Sequence, residues 1–152
     1  MQRITTFLTF EKDAKKAVEF YTSIFKNAKV HSSMEVPGSD TLLHASFSLD
    51  GQHFMAMDGG DHFKFAEGIS LFVTCENQEE VDYYWEALGE GGEYQPCGWL
   101  KDKFGVSWQI IPKQLGELMQ SPDKEVAGRV MQAMLHMGKI EIAELEAAAK
   151  DK

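Results

Sequence analysis

Three side chains around the end of one predicted strand could bind a metal ion. His53, Asp58 and His62 offer two imidazoles and a carboxylate, which are common ligands of zinc and related divalent ions. An ion held in this way would act as a Lewis acid on a substrate oxygen. Histidines scattered along a chain are more often surface or structurally satisfied residues. The sequence therefore leaves two interpretations of this set open.

The other histidines and both cysteines lack the spacing of a nucleophilic site. His44 falls on a predicted strand of alternating pattern, which favours a sheet residue over a general base. Cys97 has no histidine at an obvious partnering position, and it forms no CxxC motif with Cys75. We interpret both thiols as packing residues, with Cys75 on the core side of a strand.

The elements that must position such side chains occur twice. Val18-Glu19-Phe20-Tyr21 is echoed by Val81-Asp82-Tyr83-Tyr84, and Leu8 and Phe10 are echoed by Leu71 and Val73. The offset is the same in each case (71 − 8 and 81 − 18 both give 63). Self-similarity at a fixed offset is typical of a repeated supersecondary unit. Two copies predict paired modules, and such domains often place a pocket between their halves.

Hydrophobic spacing and turn signals predict the order β-α-β-β-β in each half. The first helix follows Asp13, a candidate cap, and the hairpin of the first half turns at Asp50-Gly51. Asn77 is the candidate cap of the second helix. Helical spacing resumes after Pro112. We therefore predict a single α+β domain, 1–152, made of a first βαβββ module, a linker, a second βαβββ module and a helical C-terminal extension, at residues 1–58, 59–67, 68–112 and 113–152.

Composition and charge exclude several classes of partner. The net charge is −9, from 24 acidic and 15 basic residues, whereas binding to nucleic acid requires clustered cations. No apolar stretch approaches the roughly 20 residues that span a bilayer, and no secretory signal is recognisable. Two thiols without a pairing pattern suit a reducing compartment. We expect a cytoplasmic protein with neither nucleic acid nor membrane as a partner.

The run from Trp99 to Pro112, Trp-Leu-Lys-Asp-Lys-Phe-Gly-Val-Ser-Trp-Gln-Ile-Ile-Pro, resembles the end of the PhnB-like family. Glu19-Phe20-Tyr21 is similar to that family's first helix, and Val130 to Glu146 is similar to its tail. The family, often labelled demethylubiquinone methyltransferase-like, belongs to the vicinal-oxygen-chelate superfamily of glyoxalases, extradiol dioxygenases and bleomycin-resistance proteins. The resemblance implies curved sheets that cup a pocket, commonly in a homodimer.

The resemblance also implies where a metal would bind. Superfamily enzymes typically hold one divalent ion with four side chains from the first and last strands of each module. Here those positions fall on Thr5, on its repeat Gly68, on Gln109, and on Ala56 or Met57 according to register. A hydroxyl, a glycine, an apolar group and a neutral amide are poor ligands for such an ion. We therefore expect no standard metal site and no cofactor.

The leading hypothesis is a protein that binds a small, partly apolar molecule in the cup, while any catalytic residue stays unknown. Gln109 would hydrogen-bond the ligand or tie the sheet together, and Trp99 would stack on an aromatic ligand or fill the core. Strand alternation and the resemblance give the predicted ligand-binding residues Thr5, Phe7, Thr9, Met55, Met57, Ser70, Phe72, Trp99 and Gln109.

Two alternatives stay open. One is metal-assisted lyase, isomerase or dioxygenase chemistry with the shifted ligand set of His53, Asp58 and His62. The other is methylation of a quinone precursor, as the family label suggests. Methylation is disfavoured because the common methyl-donor fold has a glycine-rich loop after its first strand. The corresponding loops here, Glu11-Lys12-Asp13 and Glu76-Asn77-Gln78, contain no glycine.

Overall fold

A computed structural model describes residues 2–151 of the chain and divides it into two compact units. The first unit ends at Phe65 and the second begins at Ala66. Each unit contains a four-stranded sheet and a helix, and the second unit also carries the C-terminal helices. The predicted α+β class with paired modules and a helical extension is confirmed. Within residues 2–151, no helix combines the length and the apolar character needed to cross a membrane.

The first unit follows the predicted order of elements. These are β1 (Thr6–Phe10), α1 (Ala14–Ile24), β2 (Ala28–Glu35), β3 (Leu42–Leu49) and β4 (Gln52–Asp58). The sheet order is β1-β4-β3-β2, with β1 parallel to β4 and the other neighbours antiparallel. Asp50 and Gly51 both have positive φ, 49° and 84°, as the predicted tight turn between β3 and β4 requires.

One side of the first sheet is covered by α1. Apolar residues recur at helical spacing in α1 and form one apolar face of the helix. Val18, Tyr21 and Ile24 of this face are buried. Phe47 of β3 and Phe54 of β4 stack beneath the helix with their ring centroids 5.4 Å apart. Because side chains alternate along a strand, the neighbours of these core residues point to the other side of the sheet.

The start of α1 is capped differently from the prediction. Asp13 lies in the left-handed region, with φ 65°, and its side chain accepts no capping hydrogen bond. Asp58 at the end of β4 replaces it, because Asp58 Oδ1 accepts from the Ala14 backbone N–H at 2.9 Å. Asp58 Oδ2 accepts from the Leu42 N–H at 2.8 Å. A carboxylate distant in sequence thus ties the start of the helix to the start of β3.

The second unit repeats this arrangement, and its last three strands are shorter than those of the first unit. Its elements are β5 (Leu71–Cys75), α2 (Gln78–Gly89), β6 (Glu93–Tyr94), a 3₁₀ turn (Pro96–Gly98), β7 (Trp99–Lys101) and β8 (Ser107–Pro112). The sheet order is β5-β8-β7-β6, with β5 parallel to β8. Asn77 caps α2 as predicted, since its side chain accepts from the Glu80 N–H. Val81 and Leu88 of α2, with Leu100 and Ile110 of the sheet, are fully buried.

Three helices complete the second unit. They are α3 (Lys113–Met119), α4 (Lys124–Leu135) and α5 (Ile142–Lys150). Buried residues of these helices and of the segment between α4 and α5 form one cluster with the end of β8, made of Ile111, Leu115, Val130, Met137, Ile140 and Leu145. We call residues 113–151 the helical tail. Because Ile111 belongs to β8, the core of the tail is continuous with the sheet.

Candidate functional site

The first sheet has an open face on the side opposite α1, and five predicted ligand-binding residues lie on it. Phe7 pairs with Met55 across β1 and β4, and Thr9 pairs with Met57. Phe7 is 42% exposed although it belongs to a strand of the sheet. Thr5 joins them at the edge of a groove of about 420 Å³, lined by Gln2, Thr5, Ser46, Gly51, His53 and Met55. The groove mixes a thioether with hydroxyl, amide and imidazole groups.

A phenylalanine outside the predicted set lies at the other end of this face. A Cβ placed on Gly59 would lie 2.5 Å from Thr9 Cγ2 and 2.7 Å from Phe63 Cδ2. The Phe63 ring therefore packs on the backbone of Gly59 beside Thr9, and it stays 47% exposed. Phe63 belongs to a segment without hydrophobic periodicity, so the sequence carried no signal that would place its ring there.

The second sheet has an open face of the same kind opposite α2. Phe72, Gln109 and Trp99 form one row across β5, β8 and β7, because Gln109 pairs with both of its neighbours. Gln109 Nε2 donates to Ser70 Oγ at 2.9 Å. Phe72 is 57% exposed, whereas Trp99 and Gln109 are half-buried. The four predicted residues of the second module are thus brought together.

The structure corrects the register of the repeat. β1 and β5 have equal length and each is parallel to the last strand of its sheet, so Thr6 corresponds to Leu71 and Phe10 to Cys75 (71 − 6 and 75 − 10 both give 65). The strand offset is therefore 65 and not 63. The loop before α2 is one residue shorter than the loop before α1, so the helix starts differ by 64 (78 − 14) and no single offset fits both strand and helix.

This correction changes the predicted equivalences. The counterpart of Thr5 is Ser70, not Gly68, and the counterpart of Thr9 is Thr74, which the predicted set omits. Because Phe7 pairs with Met55 and Phe72 pairs with Gln109, Met55 is the counterpart of Gln109, not Ala56 or Met57. The stretches Ile4 to Thr9 and Ile69 to Thr74 share Ile-Thr/Ser-x-Phe-Leu/Val-Thr, and this similarity was the available signal.

An ion pair lies at the rim of the second open face. Lys101 pairs with Ser107 next to the row of Trp99 and Gln109, so its side chain leaves the sheet on the same side. Its Nζ donates to Glu67 Oε1 at 2.7 Å. This hydrogen bond lowers the pKa of Glu67 and raises the pKa of Lys101. An ion pair, and not a single charge, therefore borders the row.

The histidine and aspartate set is not assembled as a metal site. Asp58 uses both carboxylate oxygens on backbone N–H groups, at 2.9 and 2.8 Å. It lies five residues from His53 along one strand, a separation of about 17 Å. The His62 side chain is 91% exposed next to Asp61. Among residues 2–151, no three His, Cys, Asp or Glu side chains are grouped so that they could hold an ion.

His53 instead contacts another histidine. The ring centroids of His31 and His53 are 5.4 Å apart, and His31 Nε2 lies 3.1 Å from Ser48 Oγ. His44 contacts the Phe7 ring at a centroid distance of 6.1 Å. These imidazoles lie on or beside the open face of the first sheet, where their ring nitrogens can bind a polar part of a ligand.

The most distinctive stretch of the sequence has a structural role at Asp102. This aspartate is 3% exposed, and its Oδ1 accepts from the N–H groups of Phe104 and Val106 at 2.8 and 3.0 Å. Its Oδ2 accepts from Trp108 Nε1 at 2.8 Å. The buried carboxylate closes the turn between β7 and β8, while Trp108 lies in the core as predicted. Asp102 thereby fixes Trp99 and Gln109 on adjacent strands.

The two thiols differ in accessibility, and we expect them to differ in reactivity. Burial, and secondarily Glu80, raises the pKa of Cys75 to about 12, while Cys97 is only half-buried. The thiolate is the reactive form. With Ellman's reagent at pH 8, we expect one thiol per native chain to react within minutes and the second only after denaturation. The variant Cys97→Ser should abolish the fast phase, and its persistence would contradict this assignment.

A second cleft was not predicted from the sequence. It has a volume of about 530 Å³ and surrounds the start of α1, with Lys12, Lys15 and Lys16 facing Glu11 and Asp40 among its lining residues. Lys15 Nζ lies 3.5 Å from Glu35 Oε1 and 3.8 Å from Asp40 Oδ1. Lys16 Nζ lies 3.7 Å from Asp13 Oδ1, and the cleft holds none of the predicted ligand-binding residues.

Comparison with known proteins places the fold. A family model described as 3-demethylubiquinone-9 3-methyltransferase matches residues 2–111. A PhnB protein from Bacillus cereus is 38% identical, with a TM-score of 0.68, over 73% of this chain and 99% of that one. A protein from Pseudomonas aeruginosa is 21% identical, with a TM-score of 0.61, over 74% and 98%. No curated protein sequence matches the chain.

A fosfomycin resistance protein also shares the fold. FosX from Listeria monocytogenes, in a crystal structure with Mn(II) and sulfate, is 24% identical, with a TM-score of 0.54. The match covers 70% of this chain and 88% of that one. The family match ends at residue 111, so the helical tail lies outside it.

Proposed function

We propose a binding function for this chain, which belongs to the family described as 3-demethylubiquinone-9 3-methyltransferase, the PhnB-like proteins of the vicinal-oxygen-chelate superfamily. It binds a small, partly apolar molecule on the open face of a sheet. Binding proceeds without the four-ligand metal site of the superfamily's enzymes. The protein serves as a binding or sequestering protein for a planar ligand that carries carbonyl or hydroxyl oxygens.

The exposed row of Phe72, Gln109 and Trp99 is the observation that carries this proposal. The Phe72 ring belongs to a strand and is 57% exposed, so it leaves apolar surface in water. A planar ligand laid on this row would cover Phe72 and contact the Trp99 indole. Stacked aromatic pairs contribute about 0.5–1.5 kcal/mol beyond the burial of area. The row therefore favours a flat ligand.

Polar groups beside the row supply the orientation of the ligand. An amide offers two N–H donors and a carbonyl acceptor, so the bond from Gln109 to Ser70 occupies one donor. The Ser70 hydroxyl, which accepts that bond, has a proton of its own to donate to a ligand carbonyl. A molecule with an apolar ring and a carbonyl edge matches both parts of the surface.

The first sheet offers an adaptable apolar surface. Met55 and Met57 have flexible thioether side chains that adjust to ligands of different shape. They lie beside Phe7, and Thr5 and Thr9 add hydroxyl groups at either end. We propose that this face, taken by itself, is a second surface for an apolar ligand.

The side chains at the metal-binding positions support binding without a metal. In the corrected register these positions hold Thr5, Met55, Ser70 and Gln109. Two hydroxyls, a thioether and an amide supply no anionic or imidazole ligand to offset the dehydration of a divalent ion. Among the alternatives, the shifted set of His53, Asp58 and His62 loses support because Asp58 is bound to backbone N–H groups. Methyl transfer is not favoured, because the loops before α1 and α2 contain no glycine.

Removing the exposed ring is expected to weaken binding of a planar quinone. We choose duroquinone, a fully substituted quinone that does not add thiols, and equilibrium dialysis as the measurement. Phe72→Ala should raise the dissociation constant about tenfold, because about 1.4 kcal/mol of stacking and burial is lost. Gln109→Leu should have an effect of similar size through the carbonyl contact.

Tyr83→Ala is the matched control, because Tyr83 is an exposed aromatic residue of α2, outside the open face. Its dissociation constant should equal that of the unaltered protein. Equal affinities of the Phe72 variant and the unaltered protein would overturn the proposed surface.

Native mass spectrometry of the same samples reports the subunit count, for which we propose a homodimer.

A further inference from the structure

The turn before Trp99 has an unusual backbone conformation. Cys97 has a φ of 63° and Gly98 a φ of 82°, so two consecutive residues lie in the left-handed region. Residues with a side chain rarely adopt this region unless the surrounding structure imposes it. Because Trp99 follows directly, the conformation of this turn determines where the indole leaves the sheet.

The helical tail supplies the contacts that hold this turn. The Cys97 N–H donates to the Met137 carbonyl and the Gly98 N–H to the Gly138 carbonyl, each at 2.8 Å. Gly98 lies between β8 and the tail, since a Cβ there would be 2.8 Å from Ile111 Cδ1 and 3.0 Å from Ile140 Cγ1. Main-chain bonds and close packing thus fix the turn from one side.

The same short segment of the tail is fastened to α2. Gln78 Nε2 donates to the Ile140 carbonyl at 2.9 Å, and Gln78 Oε1 accepts from the Ile142 N–H at 2.8 Å. Lys139 Nζ lies 2.8 Å from Asp82 Oδ1. Residues 137–142 therefore form a strap between α2 and the turn before Trp99.

We propose that this strap is the positioning element of Trp99 and so sets the affinity of the second open face for a planar ligand. The effect on affinity rests on the proposed binding function. The positioning of Trp99 by the strap does not depend on that function. The strap lies outside the family match. Residues 137–142 act through the turn at Cys97 and Gly98, and they make Trp99 dependent on the attachment of the tail to α2.

The double variant Gln78→Ala/Lys139→Ala tests the strap and leaves the amino acids of the turn and Trp99 unmutated. Fluorotryptophan labelling gives a ¹⁹F signal for each of Trp85, Trp99 and Trp108, assigned by single Trp→Phe changes. We expect the Trp99 signal to shift or broaden. The Trp108 signal should be unchanged, because the Trp108 indole is hydrogen-bonded to Asp102. Hydrogen exchange at the Cys97 and Gly98 amides should accelerate about tenfold.

Two further variants make the test specific. Lys139→Arg keeps the charge that pairs with Asp82, so it should leave the Trp99 signal unchanged. Glu146→Ala alters an exposed residue of α5 and should behave in the same way. The single variant Gln78→Ala provides the same comparison if the double variant is unfolded. An unchanged Trp99 signal in a folded variant that lacks Gln78 overturns the inference.

Duroquinone binding separates this inference from the proposed function. We expect the dissociation constant of the double variant to rise about tenfold, in parallel with the change at Trp99. If the unaltered protein binds no duroquinone while the Trp99 signal still responds to the strap, the proposed function fails and the positioning role stands. If duroquinone binding is normal in a variant whose Trp99 signal has moved, the link between strap and affinity is wrong.

Discussion

Replacing Asp102 with alanine is expected to lower the free energy of unfolding by about 4 kcal/mol, because it leaves three donors without their acceptor. These donors are the N–H groups of Phe104 and Val106 and the indole N–H of Trp108. The residue is 3% exposed, so water has little access to replace the carboxylate. Urea denaturation followed by circular dichroism measures the difference.

Two comparisons assign this loss to the carboxylate. Asp102→Asn keeps the size of the side chain but turns an amide N–H₂ toward a donor, so we expect about half the loss. Asp123→Ala removes an exposed cap of α4, which accepts from the Glu125 N–H, and should cost about 1 kcal/mol. An Asp102→Ala variant that is as stable as the Asp123→Ala variant would show that the turn between β7 and β8 holds without its buried carboxylate.

The role of Asp102 explains why the most recognisable stretch of the sequence reveals little chemistry. In the run from Trp99 to Pro112, the aspartate and Trp108 form the turn, while Gly105 has a φ of 94° that favours glycine. Trp99 and Gln109 are the residues of the run that belong to the row on the open face, with Lys101 at its rim. Most residues of a motif that identifies a family can therefore have structural roles. Alternation along the strands was needed to recognise which two of them belong to the candidate site.

Alternation is the part of the site that the sequence could predict. Side chains repeat with a period of two, so identifying Leu8 and Phe10 as core residues directs Thr5, Phe7 and Thr9 to the other face whatever their partners are. The same logic placed Ser70 and Phe72, because an offset of 63 and one of 65 have the same parity. The predicted face survived an error in register for this reason.

The partners across the sheet could not be predicted in this way. Pairing between strands depends on loop lengths, and the loop before α2 is one residue shorter than its counterpart. The single offset of 63, taken from strands and helices together, therefore misassigned the equivalent of Thr5. The equivalent of Gln109 depended on the pairing of the parallel strands, which the sequence did not give. The approach of Phe63 to Thr9 depends on packing against Gly59, which no local spacing encodes.

The helical tail shows the same division between local and tertiary information. The spacing of Val126, Val130, Met134 and Met137 predicted an apolar helix face, and these residues contribute to the cluster around Ile111. The tail is attached to α2 through Gln78, a polar residue at the start of that helix. Nothing in the sequence around Gln78 indicates a partner more than 60 positions away. The nitrogen and the oxygen of its side-chain amide nevertheless both bind the tail.

Replacing Asp58 with alanine is expected to destabilise the first unit by about 3 kcal/mol, with or without a chelator. The change leaves the Ala14 and Leu42 N–H groups without their acceptor, and it removes a negative charge from the start of α1. Thermal and urea unfolding, measured in EDTA and in excess Zn²⁺ or Mn²⁺, give the loss under each condition. Asp40→Ala, a change at an exposed carboxylate near the same helix, should have little effect.

The chelator comparison decides between the two roles that Asp58 could have. A metal ligand stabilises the folded state through the bound ion, so the unaltered protein would lose stability in EDTA and the effect of Asp58→Ala would shrink there. A structural carboxylate keeps the same effect in every buffer, because its partners are backbone N–H groups. An effect that disappears in EDTA, together with stoichiometric metal that is lost in His53→Ala, would restore the metal-assisted alternative. An effect that is equal in both buffers leaves Asp58 as the residue that joins α1 to β3.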